Sequence, residues 1–229
     1  MITKFSLAAG TVALALLAAA PVQATEVGIT SLVGNDSIDW SQLGADFTNL
    51  TSPQSVVSAG SLNATVSSTG GVFQRRDQPA GWSGNFTPGM ALLWDYGAGP
   101  DITLTFATPV FAVGAEIMAD YYGAFTARVT DGVSTFSFTE NGIATANNDG
   151  SAIFIGLLSS TGISSITFDL TSASNAPNDF AIGTVELSTS NVSATPLPST
   201  WTMLIAGFIG LGFFASRGTK KGSAAIAVA

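Results

Sequence analysis

The stretch "FTARVTDGVSTFSF", residues 125–138, contains the strongest hairpin signal in the chain. Phe125, Ala127 and Val129 alternate with polar residues, a period of two that is typical of a strand with one buried face. An Asp-Gly dipeptide (residues 131–132) separates this run from a second one, "VSTFSF". Because Asp-Gly readily adopts the positive φ angles of a tight turn, the stretch predicts a β-hairpin.

The same alternation recurs through the central part of the chain. It is clearest in "ITLTF" (102–106), "FAVGAEI" (111–117), "SITFDL" (165–170) and "DFAIGTVEL" (179–187). In the last of these the apolar phase shifts at Gly183, which predicts a β-bulge. Only "WSQLG" (40–44) suggests a helical turn. We therefore predict an all-β fold, a single jelly-roll-like β-sandwich of about ten to twelve strands over residues 25–187.

The charge is segregated along the chain. The 229 residues carry a formal net charge of −8, and all 15 acidic residues lie between Glu26 and Glu186. Fifteen acidic residues against Arg75, Arg76 and Arg128 give that window a formal charge of −12. An acidic body repels phosphate backbones, so nucleic acid is disfavoured as a partner, and cations or neutral glycans are favoured.

The sequence contains no cysteine and no histidine. Disulfide scaffolds, cysteine nucleophiles, Ser-His-Asp triads and zinc sites with Cys or His ligands are therefore excluded. A chain without disulfides is held together by its hydrophobic core, which favours one sizeable domain.

The N-terminus has the pattern of a signal peptide. Lys4 precedes an apolar run over residues 5–20, and Ala24 provides a small residue before the expected cleavage site. The run is short for a membrane anchor and has no charged residue directly after it. We therefore predict a signal peptide over residues 1–24.

The C-terminus has the pattern of a membrane anchor. Residues 199–216 form a stretch of 18 residues without a charge. At about 1.5 Å per residue they span about 27 Å of a bilayer core that is about 30 Å thick. The basic residues Arg217, Lys220 and Lys221 follow at once. This predicts a transmembrane helix over 199–216, a cytoplasmic tail over 217–229 and a body that faces outward.

The residues around the start of that helix resemble a known sorting signal. The motif "PLPSTW" consists of Pro196, Leu197, Pro198, Ser199, Thr200 and Trp201. Together with the apolar helix and the basic cluster it resembles the PEP-CTERM signal of Gram-negative bacteria, with Leu197 where that family usually has Glu. The resemblance implies recognition by an exosortase, removal of the tail and association with extracellular polysaccharide. Residues 188–198 would then be a linker and sorting motif.

The body resembles the secreted sandwich domains that are commonly paired with this sorting tail. The similar segments are "NDSIDWSQLG", "WSGNFTPGMALLWDYG", "PVFAVGAEI", "DGSAIFIG" and "NDFAIGTVEL". This resemblance implies the fold and an extracellular location, and it supplies no biochemical activity.

Carboxylates in predicted loops are candidate calcium ligands. The candidates are Asp36, Asp39, Asp120, Asp149 and Asp179. Calcium prefers such oxygen ligands, but Asp side chains also cap their own turns. The sequence has no Asp-x-Asp-x-Asp-Gly loop, so both interpretations stay open. For a structural calcium ion, the only cofactor considered, Asp149 and Asp179 are the first candidates.

Aromatic side chains are candidate glycan contacts, because a flat apolar ring with a polar edge suits stacking on a sugar. We single out Trp82, together with Tyr121 and Tyr122 in "ADYYGA" at a predicted strand end. Trp94 and Tyr96 lie two residues apart and share a face if they lie on one strand. For Trp94, packing in the core is the favoured interpretation.

No catalytic residues are predicted. Glu116 and Glu186 lie on predicted strands, but the Glu-x-Asp-x-x-Glu pattern of jelly-roll glucanases is absent. A retaining glycosidase also needs two carboxyl groups about 5 Å apart. We interpret both glutamates as facing solvent.

These patterns predict an exported, non-enzymatic surface or matrix protein. The C-terminal helix would anchor it in the membrane until an exosortase-like enzyme processes it. Its body would associate with extracellular polysaccharide or with neighbouring copies. The alternatives are a lectin-like carbohydrate-binding domain and a glycoside hydrolase or lyase.

Overall fold

The structure is a computed structural model that describes residues 25–132, 136–176 and 178–191, and these residues form an all-β fold. The predicted signal peptide (1–24), sorting motif (196–201), transmembrane helix (199–216) and basic tail (217–229) lie outside the described residues. Within the described ranges, no helix has both the length and the apolar character needed to cross a bilayer.

The described residues contain twelve strands and one 3-10 helical turn, Trp40–Leu43. The strands are β1 (Glu26–Ile29), β2 (Asp36–Ile38), β3 (Asn49–Thr51), β4 (Gln54–Val57), β5 (Asn63–Ser67), β6 (Val72–Asp77), β7 (Ala91–Trp94), β8 (Asp101–Ala119), β9 (Gly123–Asp131), β10 (Ser137–Ala144), β11 (Ile153–Ala173) and β12 (Phe180–Ser188). The strand pairs are antiparallel.

Two long strands connect the others into one hydrogen-bonded sheet. β8 and β11 have 19 and 21 residues, far beyond the usual strand of about 5–6 residues. Residues 101–106 of β8 belong to the order β10-β9-β11-β8-β5-β4. Residues 112–119 belong to the order β1-β11-β8-β12, and β12 continues through β7 and β6 to β3. Register shifts in β11 between Leu158 and Ser165 separate the two sets. This arrangement is consistent with a β-sandwich whose longest strands pass between layers.

The predicted alternation forms the core. Ile102, Leu104, Ile166 and Phe168 are fully buried on paired positions of β8 and β11. The apolar positions of β9 are buried as well. Burial of one such side chain is worth about 1.5–3 kcal/mol, so the period of two accounts for both the strands and their stability.

The predicted hairpin is confirmed as a strand pair, but its two-residue turn is wrong. Thr130 pairs with Ser137, so the connection between β9 and β10 is longer than Asp-Gly. The reason is that β9 also pairs with β11 on its other side. Asp131 pairs with Ile166, and the Gly132 N–H donates to the Ser165 carbonyl at 3.1 Å. These long-range bonds keep Asp131 in β9 and tie Gly132 to β11, where the local preference of the dipeptide favours a tight turn.

The predicted bulge and helical turn are both confirmed, and they contact each other. The register of β12 against β8 shifts between Ile182 and Val185, around Gly183. The indole N–H of Trp40, in the 3-10 turn, donates to the Gly183 carbonyl at 2.7 Å. The bulge therefore supplies the hydrogen-bond acceptor that a buried tryptophan needs.

The prediction that Glu116 faces solvent is wrong. Its side chain is half-buried, and one carboxylate oxygen is enclosed. A Cβ built on Gly183 would meet Met90, Glu116 and Phe86, so the loop between β6 and β7 covers this face of the sheet. A period of two cannot reveal that a loop folds over the second face.

Candidate functional site

Three chain segments meet beyond the ends of β7, β8 and β12. Ala181 of β12 pairs with Trp94 of β7 and with Met118 of β8. The strands are antiparallel neighbours, so the residues after β7, after β8 and before β12 come together. These residues are Asp95, Tyr96, Asp120, Tyr121, Tyr122 and Asp179.

Two tryptophans form the base of this region. The rings of Trp82 and Trp94 meet edge to face, with centroids 6.0 Å apart and planes at 65°. Trp94 meets Tyr96 in the same way at 4.9 Å and 73°, and Trp82 meets Phe86 at 6.4 Å. Edge-to-face pairs are worth about 0.5–1.5 kcal/mol beyond burial. Trp82 is only 5% exposed, so the predicted glycan contact at Trp82 is corrected to a supporting ring.

Arg76 of β6 joins a further ring to this base. Its guanidinium carbon lies 4.3 Å from the ring centroid of Phe47 and 4.7 Å from that of Trp94. Its Nη1 donates to the Gly81 carbonyl at 3.1 Å. Each cation–π contact is worth about 0.5–1 kcal/mol where it is exposed. The arginine thus fixes Phe47 over the sheet.

Four aromatic side chains are exposed around the base, and we call them the aromatic rim: Phe47, Tyr96, Tyr121 and Tyr122. Each is about half exposed, from 47% for Tyr96 to 55% for Phe47. The Tyr122 hydroxyl donates to the carbonyl of Ser83, the neighbour of Trp82, at 3.2 Å. The structure therefore places the predicted contacts Tyr121 and Tyr122 at the end of β8, where they are accessible. Their contact with glycan stays a prediction.

Two rim residues have strained backbones. Phe47 and Tyr96 have φ angles of 64° and 62°, a region that costs a residue with a side chain about 1–2 kcal/mol. Tyr96 and Gly97 are the central residues of a turn in which the Ala98 N–H donates to the Asp95 carbonyl at 3.3 Å. In both residues the strained backbone conformation accompanies an aromatic ring that is exposed to solvent.

Asp95 lies beneath the rim and is fully buried. Its Oδ1 accepts the backbone N–H groups of Gly97 at 3.0 Å and Phe180 at 3.2 Å. Among the described residues, its Oδ2 has no hydrogen-bond partner. Burial, and to a smaller extent the charges of Asp179 and Asp120, raise the pKa of Asp95 to about 8 against the lowering effect of the two N–H bonds.

The other two carboxylates lie closer to the surface. Asp179 Oδ1 accepts the indole N–H of Trp94 at 2.6 Å. Burial raises the pKa of Asp179, and this hydrogen bond opposes the rise. Burial and the charge of Asp179 raise the pKa of Asp120 to about 6, while Arg76 lowers it. Asp179 is therefore hydrogen-bonded to the base and Asp95 to the turn that carries Tyr96. Asp120 interacts electrostatically with Asp179 and Arg76.

Among the predicted calcium ligands, Asp120 and Asp179 lie near each other, with the Asp120 N–H donating to the Asp179 carbonyl at 2.9 Å, whereas Asp39 and Asp149 have local partners. Asp149 Oδ1 accepts the N–H and the hydroxyl of Ser151 at 3.1 and 2.5 Å, and the hydroxyl bond lowers the pKa of Asp149. Asp39 caps the 3-10 turn by accepting the Ser41 N–H at 2.7 Å. Both side chains thus act in turns. Within residues 25–132, 136–176 and 178–191, no group of three or more Asp, Glu, His or Cys could hold a metal. Calcium at Asp149 and Asp179 stays a prediction.

The glutamates considered for catalysis have different surroundings. Glu116 lies beside Met90 and Phe86, whereas Glu186 lies beside Gly34, where an added Cβ would come within 2.9 Å of its Oε2. Burial raises the pKa of both glutamates, and Glu186 is half-buried like Glu116, so the prediction that it faces solvent is wrong as well.

A shallow groove of about 390 Å³ adjoins the rim. It is lined by Asn49, Leu50, Thr51, Val72, Phe73 and Tyr96. Small-molecule sites commonly have volumes of about 300–1,000 Å³, so the groove offers space for a ligand beside the Tyr96 ring.

No protein-family model matches the chain, and no curated protein matches it. Among solved structures, it is similar to CsCBM6-3 from Clostridium stercorarium in complex with cellobiose. That match has 14% identity and a TM-score of 0.32, and it covers 64% of this chain and 98% of that chain. A carbohydrate-binding module of family 29 matches with 12% identity and a TM-score of 0.23, over 73% of this chain and 92% of that chain. At these TM-scores neither match assigns a family or a function to this protein.

Proposed function

We propose that the protein is an exported, non-catalytic glycan-binding protein of the cell surface or extracellular matrix. Its aromatic rim would contact a neutral polysaccharide. The rings of Phe47 and Tyr96 would stack on sugar faces, Tyr121 and Tyr122 would extend the contact, and Trp82 and Trp94 would keep the surface rigid.

The observation that carries this proposal is that Phe47 and Tyr96 combine an exposed aromatic ring with a strained backbone. Both rings are about half exposed, and both backbones have positive φ. Folding gains little from holding an apolar ring in water on a strained backbone, and such strain is concentrated at functional sites. A rigid, exposed ring gives contact area to a ligand with little loss of conformational entropy.

The charges favour a neutral glycan over an anionic one. Asp95, Asp120 and Asp179 lie under or beside the rim, and Arg76 is the cation that acts on Asp120. An anionic polysaccharide would meet repulsion from the ionised carboxylates of Asp120 and Asp179 and from the acidic body. Sugar hydroxyls carry no such penalty, and they can hydrogen-bond to Asn49 at the edge of the groove.

A binding panel of neutral polysaccharides tests the proposal. We would measure retention of the full chain, in mild detergent, by insoluble cellulose and chitin and by gels that contain galactomannan or dextran. We expect retention by at least one of them. Tyr96→Ala and Phe47→Ala should each weaken it about threefold to tenfold, because one ring contact is worth about 0.5–1.5 kcal/mol.

Val57→Ala is the matched control, since Val57 is an exposed apolar residue on β4. It should bind as the wild type does. The proposal is wrong if no polysaccharide retains the chain, or if the Tyr96 and Phe47 variants bind as well as the control.

Export and sorting are the second part of the proposal, supported by the sequence patterns at the two ends. Intact-mass analysis of protein recovered from the producing cells tests this part. We expect loss of residues 1–24 and of the chain beyond about Pro198. Retention through Ala229 would contradict processing by an exosortase-like enzyme.

A further inference from the structure

One oxygen of Asp95 ties the turn that carries Tyr96 to the start of β12. The Gly97 N–H, within the turn, and the Phe180 N–H, at the first residue of β12, both donate to Asp95 Oδ1. The Asp95 N–H in turn donates to the Phe180 carbonyl at 3.2 Å. Tyr96 is thus presented by a turn whose closure depends on this carboxyl group.

The other oxygen of Asp95 has surroundings that do not suit a negative charge. It is enclosed, and no hydrogen-bond partner for it exists in the part of the chain that the structure describes. The charged groups that act on Asp95 or on its neighbours are Asp179 before β12, Asp120 after β8 and Arg76 on β6, and the arginine acts on Asp120. Two of the three are like charges. An isolated buried carboxylate is costly, and like charges nearby increase the cost.

A protonated Asp95 avoids both penalties and keeps its structural role. The neutral carboxyl has no charge to desolvate, and its Oδ1 still accepts the N–H groups of Gly97 and Phe180. The raised pKa of Asp95, which is about 8 and is caused chiefly by burial, is consistent with a protonated carboxyl group.

We propose that Asp95 is a pH-sensitive switch beneath the aromatic rim, and that it favours glycan binding when protonated and weakens it when ionised. The inference rests on the proposed function of the rim. On ionisation, Oδ2 must gain water. Tyr96, Gly97 and Ala98 are exposed whereas Phe180 is fully buried. Water therefore enters by opening the turn, which displaces the Tyr96 ring.

Binding at two pH values tests the switch. We would compare retention of the full chain by the same uncharged polysaccharide at about pH 5 and about pH 9, on either side of the Asp95 pKa of about 8. We expect the wild type to bind at least about threefold more tightly at the lower pH. Asp95→Asn imitates the neutral carboxyl, so its binding should be tight and nearly independent of pH.

Asp149→Asn is the matched control, because Asp149 is an exposed carboxylate in a turn of its own. It should keep the pH dependence of the wild type. Equal wild-type binding at the two pH values would overturn the switch, and so would an Asp95→Asn variant that keeps the full pH dependence.

A measurement without glycan separates failure of the switch from failure of the proposed function. The carbon-13 shift of the Asp95 carboxyl in the wild type should titrate near pH 8. The amide signals of Tyr96, Gly97 and Phe180 should change with the same midpoint. If no polysaccharide binds but these signals titrate together, the function is wrong and the switch stands. A carboxyl that titrates in the ordinary Asp range, or amides that do not respond, would overturn the switch even if Asp95→Asn does not fold.

Discussion

Two buried carboxylates in this molecule are bonded in different ways. At the start of β2, Asp36 accepts the N–H groups of Ser37 at 2.8 Å and Gly60 at 2.6 Å on Oδ1, and the Ser58 hydroxyl at 2.5 Å on Oδ2. Beneath the aromatic rim, Asp95 has N–H donors on Oδ1, and within the described residues none on Oδ2. Asp36 is 9% exposed and Asp95 is 0% exposed.

We interpret Asp36 as a structural carboxylate and Asp95, under the proposed switch, as a functional one. Both oxygens of Asp36 accept hydrogen bonds, so its side chain holds β2 against the turn over residues 58–62. The incomplete bonding of Asp95 makes its protonation state variable, and it lies beside strained, exposed rings. Buried polar groups are normally satisfied, so an exception suggests a role other than stability.

Removal of the Asp36 carboxylate should have the largest effect. Asp36→Ala leaves the buried hydroxyl of Ser58 without its acceptor, and an unsatisfied buried group costs about 1–3 kcal/mol. The N–H bonds from the less buried Ser37 and Gly60 are lost as well, at about 0.5–1.5 kcal/mol each. We expect the free energy of unfolding, measured in urea at neutral pH, to fall by about 3 kcal/mol. Asp95→Asn should change it by less than about 1 kcal/mol. Equal losses for the two variants would remove the distinction between the carboxylates.

The pH dependence of stability should have the opposite sign from that of an ordinary ion-paired Asp. The pKa of Asp95 is raised from 3.8 to about 8 in the folded state, so between these values the folded chain holds a proton that the unfolded chain has lost. Stability is then fully present below about pH 4 and is lost as pH rises through about 8. We expect a fall of about 2 kcal/mol between about pH 5 and about pH 8, within the limit of about 4 kcal/mol that three pH units allow.

Urea unfolding of the wild type and of Asp95→Asn over this range provides the measurement. The variant should lose most of the dependence, with a remainder from Asp120, whose pKa is raised to about 6. A wild type that becomes more stable as pH rises would contradict the assignment.

Arg76 and Arg128 provide a comparison of two arginines. Arg76 lies between the rings of Phe47 and Trp94, whereas Arg128 forms a two-pronged ion pair with Asp169 at 2.8–3.1 Å on β9 and β11. Arg76→Met should weaken polysaccharide retention about threefold, since two cation–π contacts of about 0.5–1 kcal/mol no longer fix the Phe47 ring. Arg128→Met should leave retention unchanged. Similar losses in both variants would mean that binding follows charge and not the rim.

Substitutions at strained positions should have the smallest effect on stability. Tyr96→Gly relieves about 1–2 kcal/mol of strain but loses an edge contact of about 0.5–1.5 kcal/mol and gains unfolded-state entropy. We expect a net change in the free energy of unfolding within about 1 kcal/mol, together with a loss of polysaccharide retention. Ser61→Gly, at a φ of 72°, is the control. Relief of its strain and the gain in unfolded-state entropy nearly cancel, so stability should stay within about 1 kcal/mol and retention should be unchanged. A stability loss above about 2 kcal/mol for Tyr96→Gly would make the ring structural.

The sequence predicts those parts of the fold that depend on neighbouring residues. Alternation located the buried positions over residues 102–106 of β8, in β9 and over residues 166–168 of β11, and the phase shift at Gly183 located the bulge. The Asp-Gly turn failed because pairing of Asp131 with β11 outweighs a local preference. The prediction that Glu116 faces solvent failed because the loop between β6 and β7 covers its side chain. In both cases a contact distant in sequence decides the structure.

The candidate site was predictable only in part, for the same reason. Tyr121 and Tyr122 were found because their position at a strand end implies exposure. Phe47 and Arg76 were missed, since their stacking on Trp94 joins three segments that no local pattern connects. Asp95 gave no signal because the lack of a donor for one oxygen is visible only in three dimensions.

Chemical-shift mapping on the full chain tests most directly whether the aromatic rim is the glycan contact surface. Amide signals would be followed while a soluble oligosaccharide of the retained neutral polysaccharide is added. We predict changes concentrated at Phe47, Tyr96, Tyr121 and Tyr122, with the signals of Ser37 and Gly60 near Asp36 unmoved. Changes centred on the Asp36 turn or spread evenly over the sheet would contradict this assignment.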